Sequence, residues 1–222
     1  MDEIEKGIIV EIEDVKQAIN VDKIAHAVLI REFDIDFIDD VIDAISIPVI
    51  ATCRIGHFVE AQILEKTGVK AIDESNPSQM RHIDKKNFSV PFICMVKEVG
   101  EVSARIEEGA YAVRTDFGFI DEVTELIEKI KEGNEDAKII PSLKIATPAD
   151  VSLLFKKGCH SIIISSDIFL SPNPPKLLDA LVKSARYYND IEKIFNFSKN
   201  ISKILPLNTN FASNFYLDHN TI

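Results

Sequence analysis

Polar residues that could do chemistry stand at the ends of several apolar, β-branched runs. Glu11 lies in the run GIIVEI, Asp73 in VKAIDES and Thr52 in PVIATC, which Arg54 and His57 follow. A carboxylate can act as a general acid or base, and an arginine beside a histidine can hold an anion. Thr52 is neither a strong base nor a good nucleophile. Structural roles are equally open, because the carboxylates can accept hydrogen bonds from loop amides and Arg54 and His57 can brace a helix start.

The apolar runs themselves predict the elements that position these residues. They recur about every 22 residues, which leaves room for one helix between neighbours. Continuous rather than alternating apolar character is typical of parallel strands covered on both faces. Eight strand–helix units predict an α/β (β/α)8 barrel, whose strand ends meet at one mouth; a doubly wound sheet is the alternative, but a GxGxxG loop is missing. The predicted strands span 7–12, 25–30, 48–53, 69–75, 91–96, 110–115, 137–142 and 161–166.

Helix signals occur in the segments between the runs. The stretch HFVEAQILEKTG predicts a helix on which Phe58, Ile63 and Leu64 share one face, with Gly68 just past its end. The motif TPAD (147–150) predicts a helix start with a threonine N-cap, a proline in the first turn and an acid at the third position.

The length of 222 residues predicts one domain, which we place at residues 1–204. After SPNPP, one amphipathic helix is expected to reach about residue 188 and a second to reach about residue 204. Residues 205–222 are polar without periodicity and are expected to be mobile. No apolar run approaches the roughly 20 residues of a membrane span, and the acidic N-terminus lacks a signal segment, so a cytoplasmic location is predicted.

Charge and cysteine usage narrow the function classes further. The 25 basic and 36 acidic residues give a net charge of −11, which argues against a nucleic-acid partner. Cys53, Cys94 and Cys159 lie far apart in apolar contexts and are predicted to be buried. Their spacing indicates no metal site, and no cofactor is predicted.

Several distinctive stretches follow one another in barrel order. They are SIPVIATCRIGHFVEAQILE, AIDES, VPFIC, the run from GE to AVRT (100–115), ATPAD and IFLSPNP (168–174). From about residue 6 to about residue 200, these stretches resemble the PdxS/SNZ family of pyridoxal 5′-phosphate synthase subunits. RIGHFVEAQ and ATPAD at matching places in one barrel are far more specific than either motif alone.

The resemblance implies chemistry that depends on two lysines. Family members condense a pentose phosphate, a triose phosphate and ammonia, and only a neutral primary amine can form the imine that this requires. The family pattern AK.RIGH reads ATCRIGH here, so Thr52 occupies the place of the first lysine. The second lysine follows the RT of strand 6, where this chain has Asp116. Neither position can form an imine.

The family's phosphate-binding loops are also altered. Its AGG after strand 7 is replaced by residues 142–144, Ser-Leu-Lys, and its GSG after strand 8 by residues 165–167, Ser-Ser-Asp. Bulkier side chains block the close approach of backbone N–H groups, and Asp167 would repel a phosphate. In the loop after strand 6, Gly118 is the glycine that remains.

The family's strand-1 aspartate becomes Glu11, while its strand-4 aspartate is kept as Asp73. These two, together with Gly118, Ser165 and Ser166, are the remaining candidates for substrate contacts.

The resemblance also bears on partners, because family members form rings of barrels and receive ammonia from a glutaminase. The loop after strand 2 is cut to residues 31–37, and the stretch before strand 7 to residues 132–137. Only six residues precede strand 1, although the family's N-terminal arm contributes to the glutaminase contact. The expected partners are therefore active subunits of the family or a second copy of the chain, and the case for a glutaminase partner is weakened.

Three functions remain open. The chain could be a catalytically silent subunit that acts by assembly with active subunits. It could be an enzyme of altered chemistry that uses Glu11 and Asp73, or an amine from Lys97 or Lys144 near strand ends. It could also be a non-catalytic binder of a small anion.

Overall fold

Eight parallel strands close into a barrel in the order of the sequence, with β1 pairing to both β2 and β8. The computed structural model describes residues 4–144 and 146–205. The predicted (β/α)8 fold is confirmed. The strands are β1 Ile8–Ile12, β2 Ala27–Ile30, β3 Val49–Arg54, β4 Ala71–Asn76, β5 Phe92–Met95, β6 Ala112–Gly118, β7 Ile139–Leu143 and β8 Ile162–Ile164.

Eight α-helices accompany the strands within the described residues. Two of them, α7 and α8, follow β8, and a 3₁₀ turn at Ser166–Leu170 precedes them. The helices are α1 Val15–Val21, α2 Ile35–Ala44, α3 Phe58–Thr67, α4 Val102–Glu107, α5 Ile120–Gly133, α6 Pro148–Lys156, α7 Pro174–Arg186 and α8 Ile191–Ile201.

Of the predicted mobile tail, the described residues include only Leu205, so that prediction lies outside them. No helix in the described part of the chain combines the length and apolar character needed to cross a membrane. The cytoplasmic location stays a prediction.

One interval departs from the predicted alternation of strand and helix. Between β4 and β5 the described chain has no α-helix, and residues 77–91 run along the barrel with one 3₁₀ turn at Lys85–Asn87. Two prolines, Pro77 and Pro91, bound this segment. Proline lacks the backbone N–H that a helix interior needs, so the segment is held by side chains instead.

The helix ends follow the predicted signals. The Thr147 hydroxyl accepts a hydrogen bond from the N–H of Asp150, and the Asp150 carboxylate accepts one from the Thr147 N–H, so the capping box of α6 is confirmed. Gly68 ends α3 with a positive φ of 90°, as predicted.

The three apolar residues predicted to share one face of α3 differ in burial. Leu64 is buried, but Phe58 and Ile63 are exposed to solvent. The face that packs on the barrel contains Glu60 and Ala61 instead. Helical spacing alone does not identify the inner face here, because the Glu60 carboxylate turns inward to bond Arg54 at the end of β3.

Two apolar layers form the core. The larger layer lies between the strands and the helices and includes all three cysteines, which are buried as predicted. The smaller layer fills the barrel interior and draws at least one residue from every strand. Its members are Ile4, Ile9, Ala27, Leu29, Ile50, Ala71, Ile93, Ala112, Ile140 and Ile163.

Candidate functional site

A layer of polar side chains lies directly above the inner apolar layer, at the carboxyl end of the barrel. Each member follows an inner residue of its own strand by two positions, and alternate residues of a strand face the same side. The register pairs Thr52 with Asp73 on neighbouring strands. The layer therefore lines the mouth where catalytic residues of such barrels lie. Its members are Glu11, Arg31, Thr52, Asp73, Arg114, Ser142 and Ser165.

Asp73 is the centre of a closed hydrogen-bond network. Arg114 Nε donates to both of its carboxylate oxygens, at 2.9 and 3.1 Å. Thr52 Oγ1 donates to Oδ2 at 3.3 Å, and the Ser75 hydroxyl donates to Oδ1. All four residues are buried. Both oxygens of the Asp73 carboxylate therefore have hydrogen-bond partners within the chain.

Glu11 lies at the edge of the same mouth. Its Oε2 accepts a hydrogen bond from the Ser166 N–H at 3.3 Å, and its Oε1 lies 3.6 Å from Arg31 Nη1. Burial raises the pKa of Glu11, although the Ser166 N–H and the Arg31 charge oppose this effect. Glu11 therefore makes the contact expected of a structural role, because it accepts a hydrogen bond from a loop amide.

A β-bulge in β6 decides where Asp116 and Gly118 lie. Arg114 pairs with Ile140 but Phe117 pairs with Ser142, so β6 carries one more residue than β7 over this stretch. The strand consequently runs on to Gly118, beyond the predicted end at residue 115. Asp116 is exposed, and its carboxylate accepts from the N–H of Phe117.

The bulge also turns Phe117 onto the inner apolar layer. The ring packs against that layer, and the guanidinium carbons of Arg31 and Arg114 lie 5.5 and 5.9 Å from its centre. An aromatic ring between two arginines fills space at the mouth and is a favourable cation–π arrangement. Phe117 and the two arginines thus pack against one another at the mouth.

The backbone N–H groups of Lys144, Ser166 and Asp167, which follow β7 and β8, are bonded within the chain. The Lys144 N–H donates to the Gly118 carbonyl at 3.4 Å, and the Ser166 N–H donates to Glu11. The Asp167 N–H donates to the Ser165 hydroxyl at 3.2 Å, and that hydroxyl donates to the Lys144 carbonyl at 2.9 Å. Phosphate sites in barrels need such N–H groups to point at the ligand.

Negative charge surrounds the same loops. The Ser166 hydroxyl donates to Glu13 at 2.7 Å, and Glu11 and Asp167 lie beside it in the structure or sequence. A phosphate dianion at this place would meet like charges. The hydroxyls of Ser165 and Ser166 and the carbonyl of Gly118 are all hydrogen-bonded to other groups of the chain.

Arg54 and His57 brace the start of α3. Arg54 Nε donates to Glu60 Oε1 at 2.7 Å, and its backbone N–H donates to Glu60 Oε2 at 2.9 Å. His57 Nδ1 accepts from the Glu60 N–H at 3.2 Å and caps the helix. Burial opposes ionisation of Glu60, but the hydrogen bonds from Arg54 outweigh it and lower the pKa of that carboxyl. These contacts support a structural role for Arg54 and His57, which is to brace the start of a helix.

The two candidate replacement amines, Lys144 and Lys97, differ in burial. Lys144 is half-buried, and its Nζ lies 5.6 Å from the centre of the Phe119 ring. Lys97 is exposed, and its backbone N–H donates to Glu101 at 2.7 Å. A lysine that forms imines needs a desolvated pocket or a neighbouring cation to make its amine neutral.

A second polar cluster, which the sequence did not indicate, lies outside the barrel beneath residues 77–91. Glu74 points outward from β4, and its Oε1 accepts from the N–H groups of Gly56 and Ile83 at 2.9 and 2.8 Å. Its Oε2 lies 2.9 Å from the buried Lys85 Nζ. Glu74, His82 and Cys94 are the side chains of the described residues whose positions would suit a metal ion.

The sequence did not indicate two further features of the mouth, the inward positions of Arg114 and Phe117. Arg114 lies in a predicted strand, at the parity of the inner residue Ala112, so strand alternation could have placed it inside. Phe117 could not have been placed, because its inward position depends on the bulge.

Comparison with known proteins agrees with this architecture. The chain is 35% identical to pyridoxal 5′-phosphate synthase subunit PdxS of Clostridium botulinum (strain Loch Maree / Type A3), over 82% of this chain and 79% of that protein. It is 32% identical to the subunit of the same name from Bacillus cytotoxicus, over 77% of this chain and 72% of that protein.

A solved structure, thiamine phosphate pyrophosphorylase from Pyrococcus furiosus, superposes with a TM-score of 0.67. It covers 84% of this chain and 98% of that chain at 11% identity, which is evidence for the fold alone. The model of the SOR/SNZ family matches residues 5–157. With that match and the relatives named PdxS, the chain belongs to the SOR/SNZ family.

Proposed function

We propose that the chain is a subunit connected with vitamin B6 biosynthesis that lacks the imine chemistry and acts by assembling with active synthase subunits. Relatives named pyridoxal 5′-phosphate synthase subunit PdxS align with most of its length, which supports the connection with this pathway. Their lysines, carried over by the resemblance, fall on Thr52 and Asp116.

The observation that carries the proposal is the network around Asp73. Thr52 occupies the place of an imine-forming lysine, and it is buried and hydrogen-bonded to a carboxylate that is itself paired with Arg114. The hydroxyl of a threonine cannot form an imine. The ring of Phe117 packs at the same mouth. The barrel is therefore present, while side chains occupy the place where the resemblance puts the chemistry.

Exposed apolar side chains on two outer helices support a role in assembly. On α3, Val59 and Ile63 are 44% and 40% exposed and lie one helical turn apart. On α8, Ile191 and Phe195 are 71% and 64% exposed and are spaced in the same way. Contiguous apolar surface marks interaction sites more often than single exposed apolar residues do, and the residues of each pair lie next to each other.

The proposal can be tested by native mass spectrometry after co-expression of the chain with the PdxS subunit of Clostridium botulinum. We expect oligomers that contain both chains. The double variant Ile191→Glu/Phe195→Glu should reduce the share of mixed oligomers, because it places charge in the contact. Ile19→Glu is the matched control, since Ile19 is 56% exposed on α1 without an exposed apolar neighbour one turn away.

The same experiment can also contradict the proposal. Strict monomers of this chain in both samples, together with an unchanged melting temperature and reaction rate of the active subunit, would contradict assembly. Calorimetry with a pentose phosphate then separates the other functions, since micromolar affinity would favour the anion binder.

A further inference from the structure

Three side chains of metal-binding type meet on the outer side of the barrel, away from the mouth. Glu74 lies on β4 and Cys94 lies beside it on β5, where the strand register pairs the two residues. His82 approaches them from the segment 77–91. Glu74 and Cys94 are buried, and His82 is partly buried.

The spacing of their ligand atoms is close to that of a tetrahedral metal site. Glu74 Oε2 lies 3.1 Å from His82 Nδ1 and 3.6 Å from Cys94 Sγ, and all three atoms lie within 4.8 Å of one another. With ordinary zinc bond lengths, the separations in a tetrahedral site are about 3.3 Å between oxygen and nitrogen and about 3.5 Å between oxygen and sulfur. The remaining separation, between a His82 ring nitrogen and Cys94 Sγ, is within 4.8 Å and is the one left to adjust.

His82 is the side chain that can make this adjustment. Its Nδ1 atom is buried and has no hydrogen-bond partner among the described residues, although it faces the Glu74 oxygen. A buried ring nitrogen of this kind is normally satisfied by a hydrogen bond or a metal ion. The side chain is 15% exposed, which leaves a route for an ion from solvent.

Lys85 supplies positive charge to the cluster when no ion is bound. Its Nζ lies 2.9 Å from Glu74 Oε2, and it also donates to the Ile83 carbonyl at 2.6 Å and to Glu108 at 3.1 Å. The ammonium group would therefore keep two acceptors if Glu74 Oε2 turned to a metal ion.

We propose that Glu74, His82 and Cys94 form a binding site for a zinc-class divalent ion, with water as the fourth ligand. The donor set of one carboxylate, one imidazole and one thiolate suits zinc rather than magnesium or calcium. On binding, the Cys94 thiol releases its proton to solvent and its sulfur forms the metal bond. The ion ties segment 77–91 to β4 and β5, and the proposal does not depend on the proposed function.

The test is a titration of the untagged, chelator-treated chain with Co²⁺, followed by competition with Zn²⁺. We expect one tight equivalent, a thiolate-to-cobalt charge-transfer band that Zn²⁺ abolishes, and a higher melting temperature with Zn²⁺. Loss of an outer-shell partner already costs about 10–100-fold in metal affinity, so Cys94→Ala should weaken binding at least as much and remove the band. Cys159→Ala, at another buried cysteine, should change neither.

His82→Asn provides a second variant for the case in which Cys94→Ala fails to fold, because His82 is a partly exposed loop residue. It should also weaken Co²⁺ binding at least about tenfold. Absence of a tight equivalent in the wild-type chain would overturn the proposal. Binding and a band that persist in a folded Cys94→Ala or His82→Asn variant would overturn it as well.

Discussion

The ion pair of Asp73 and Arg114 concentrates opposite charges in the least solvated part of the barrel mouth. Both side chains are 1% exposed, and Thr52 and Ser75 complete the bonds of the carboxylate. A buried pair of this kind gains little net stability, but removal of one partner leaves a charge without compensation. Each of the two charges therefore needs the other to stay buried without a large cost in free energy.

Arg114→Met is expected to lower the free energy of unfolding by about 3–5 kcal/mol, because it leaves the buried Asp73 carboxylate without its cation. The double variant Asp73→Asn/Arg114→Met should lose less than the sum of the two single variants, since it removes both charges. Urea unfolding of the four proteins measures this coupling. Additive losses would show that the two residues act independently.

The raised pKa of Glu11 makes a prediction about pH. A carboxyl whose pKa is higher in the folded state than in the unfolded state binds protons more readily when folded. Its contribution to stability is present below the unfolded pKa and is lost as pH rises through the folded pKa. Glu11→Gln removes this dependence and keeps a hydrogen-bond acceptor for Ser166.

The unfolding free energy of Glu11→Gln, relative to wild type, should therefore increase from acidic to neutral pH. Urea unfolding at several pH values measures the trend. Glu32→Gln removes an exposed carboxylate after β2 and controls for the loss of one charge. A difference that stays constant or falls as pH rises would contradict the role of burial at Glu11.

At the scale of elements, the loop between β3 and α3 and the segment 77–91 hold each other in place. Glu74 accepts from the N–H groups of Gly56 in the loop and Ile83 in the segment, which replaces the support of a helix between β4 and β5. Gly56 has a φ of 76°, and a Cβ atom there would collide with the Arg81 carbonyl oxygen and Met80 Cβ. The loop thus needs glycine for two reasons, its conformation and its contacts.

Two glycines that flank α3 allow a matched comparison. Gly68→Ala should cost about 1–2 kcal/mol, because the positive φ is strained for alanine but no atom lies within 4 Å of the added Cβ. Gly56→Ala should cost at least twice as much, since it adds a collision with the backbone. Urea unfolding measures the loss of stability in both variants. Equal losses would mean that segment 77–91 moves away from the added methyl group without a cost in free energy.

At the scale of the whole molecule, a closed barrel carries a mouth in which carboxylates and guanidinium groups lie close together. Glu11 and Asp73 face Arg31 and Arg114, and the Phe117 ring lies between the arginines. Lys144 follows β7 at the same end of the barrel, and its Nζ lies 5.6 Å from the centre of the Phe119 ring. Under the proposed function, this mouth supports no imine chemistry.

Borohydride trapping with a pentose phosphate tests this account of the mouth. We expect no stable adduct on the wild-type chain by mass spectrometry, and none on Thr52→Lys, because the N–H groups after β7 and β8 remain bonded within the chain. The PdxS subunit of Clostridium botulinum serves as the positive control. An adduct on Lys144 or Lys97 of the wild-type chain would favour the enzyme of altered chemistry.

The sequence by itself determined the barrel, because eight apolar runs separated by helical segments leave few ways to bury both faces of a parallel sheet. Local signals determined helix ends in the same way, as at Thr147 and Gly68, since a cap depends only on residues within one turn. The family resemblance predicted that Thr52 and Asp116 stand at the places of the family's lysines, and strand alternation would have sufficed to turn Arg114 inward.

Only the tertiary structure decided the rest, because the contacts join residues far apart in the chain. The bulge that exposes Asp116 and turns Phe117 inward arises from the pairing of β6 with β7. The inner face of α3 was decided by the bond of Glu60 to Arg54. The grouping of Glu74, His82 and Cys94 depends on how a segment without a helix crosses two strands, and no local spacing encodes that path.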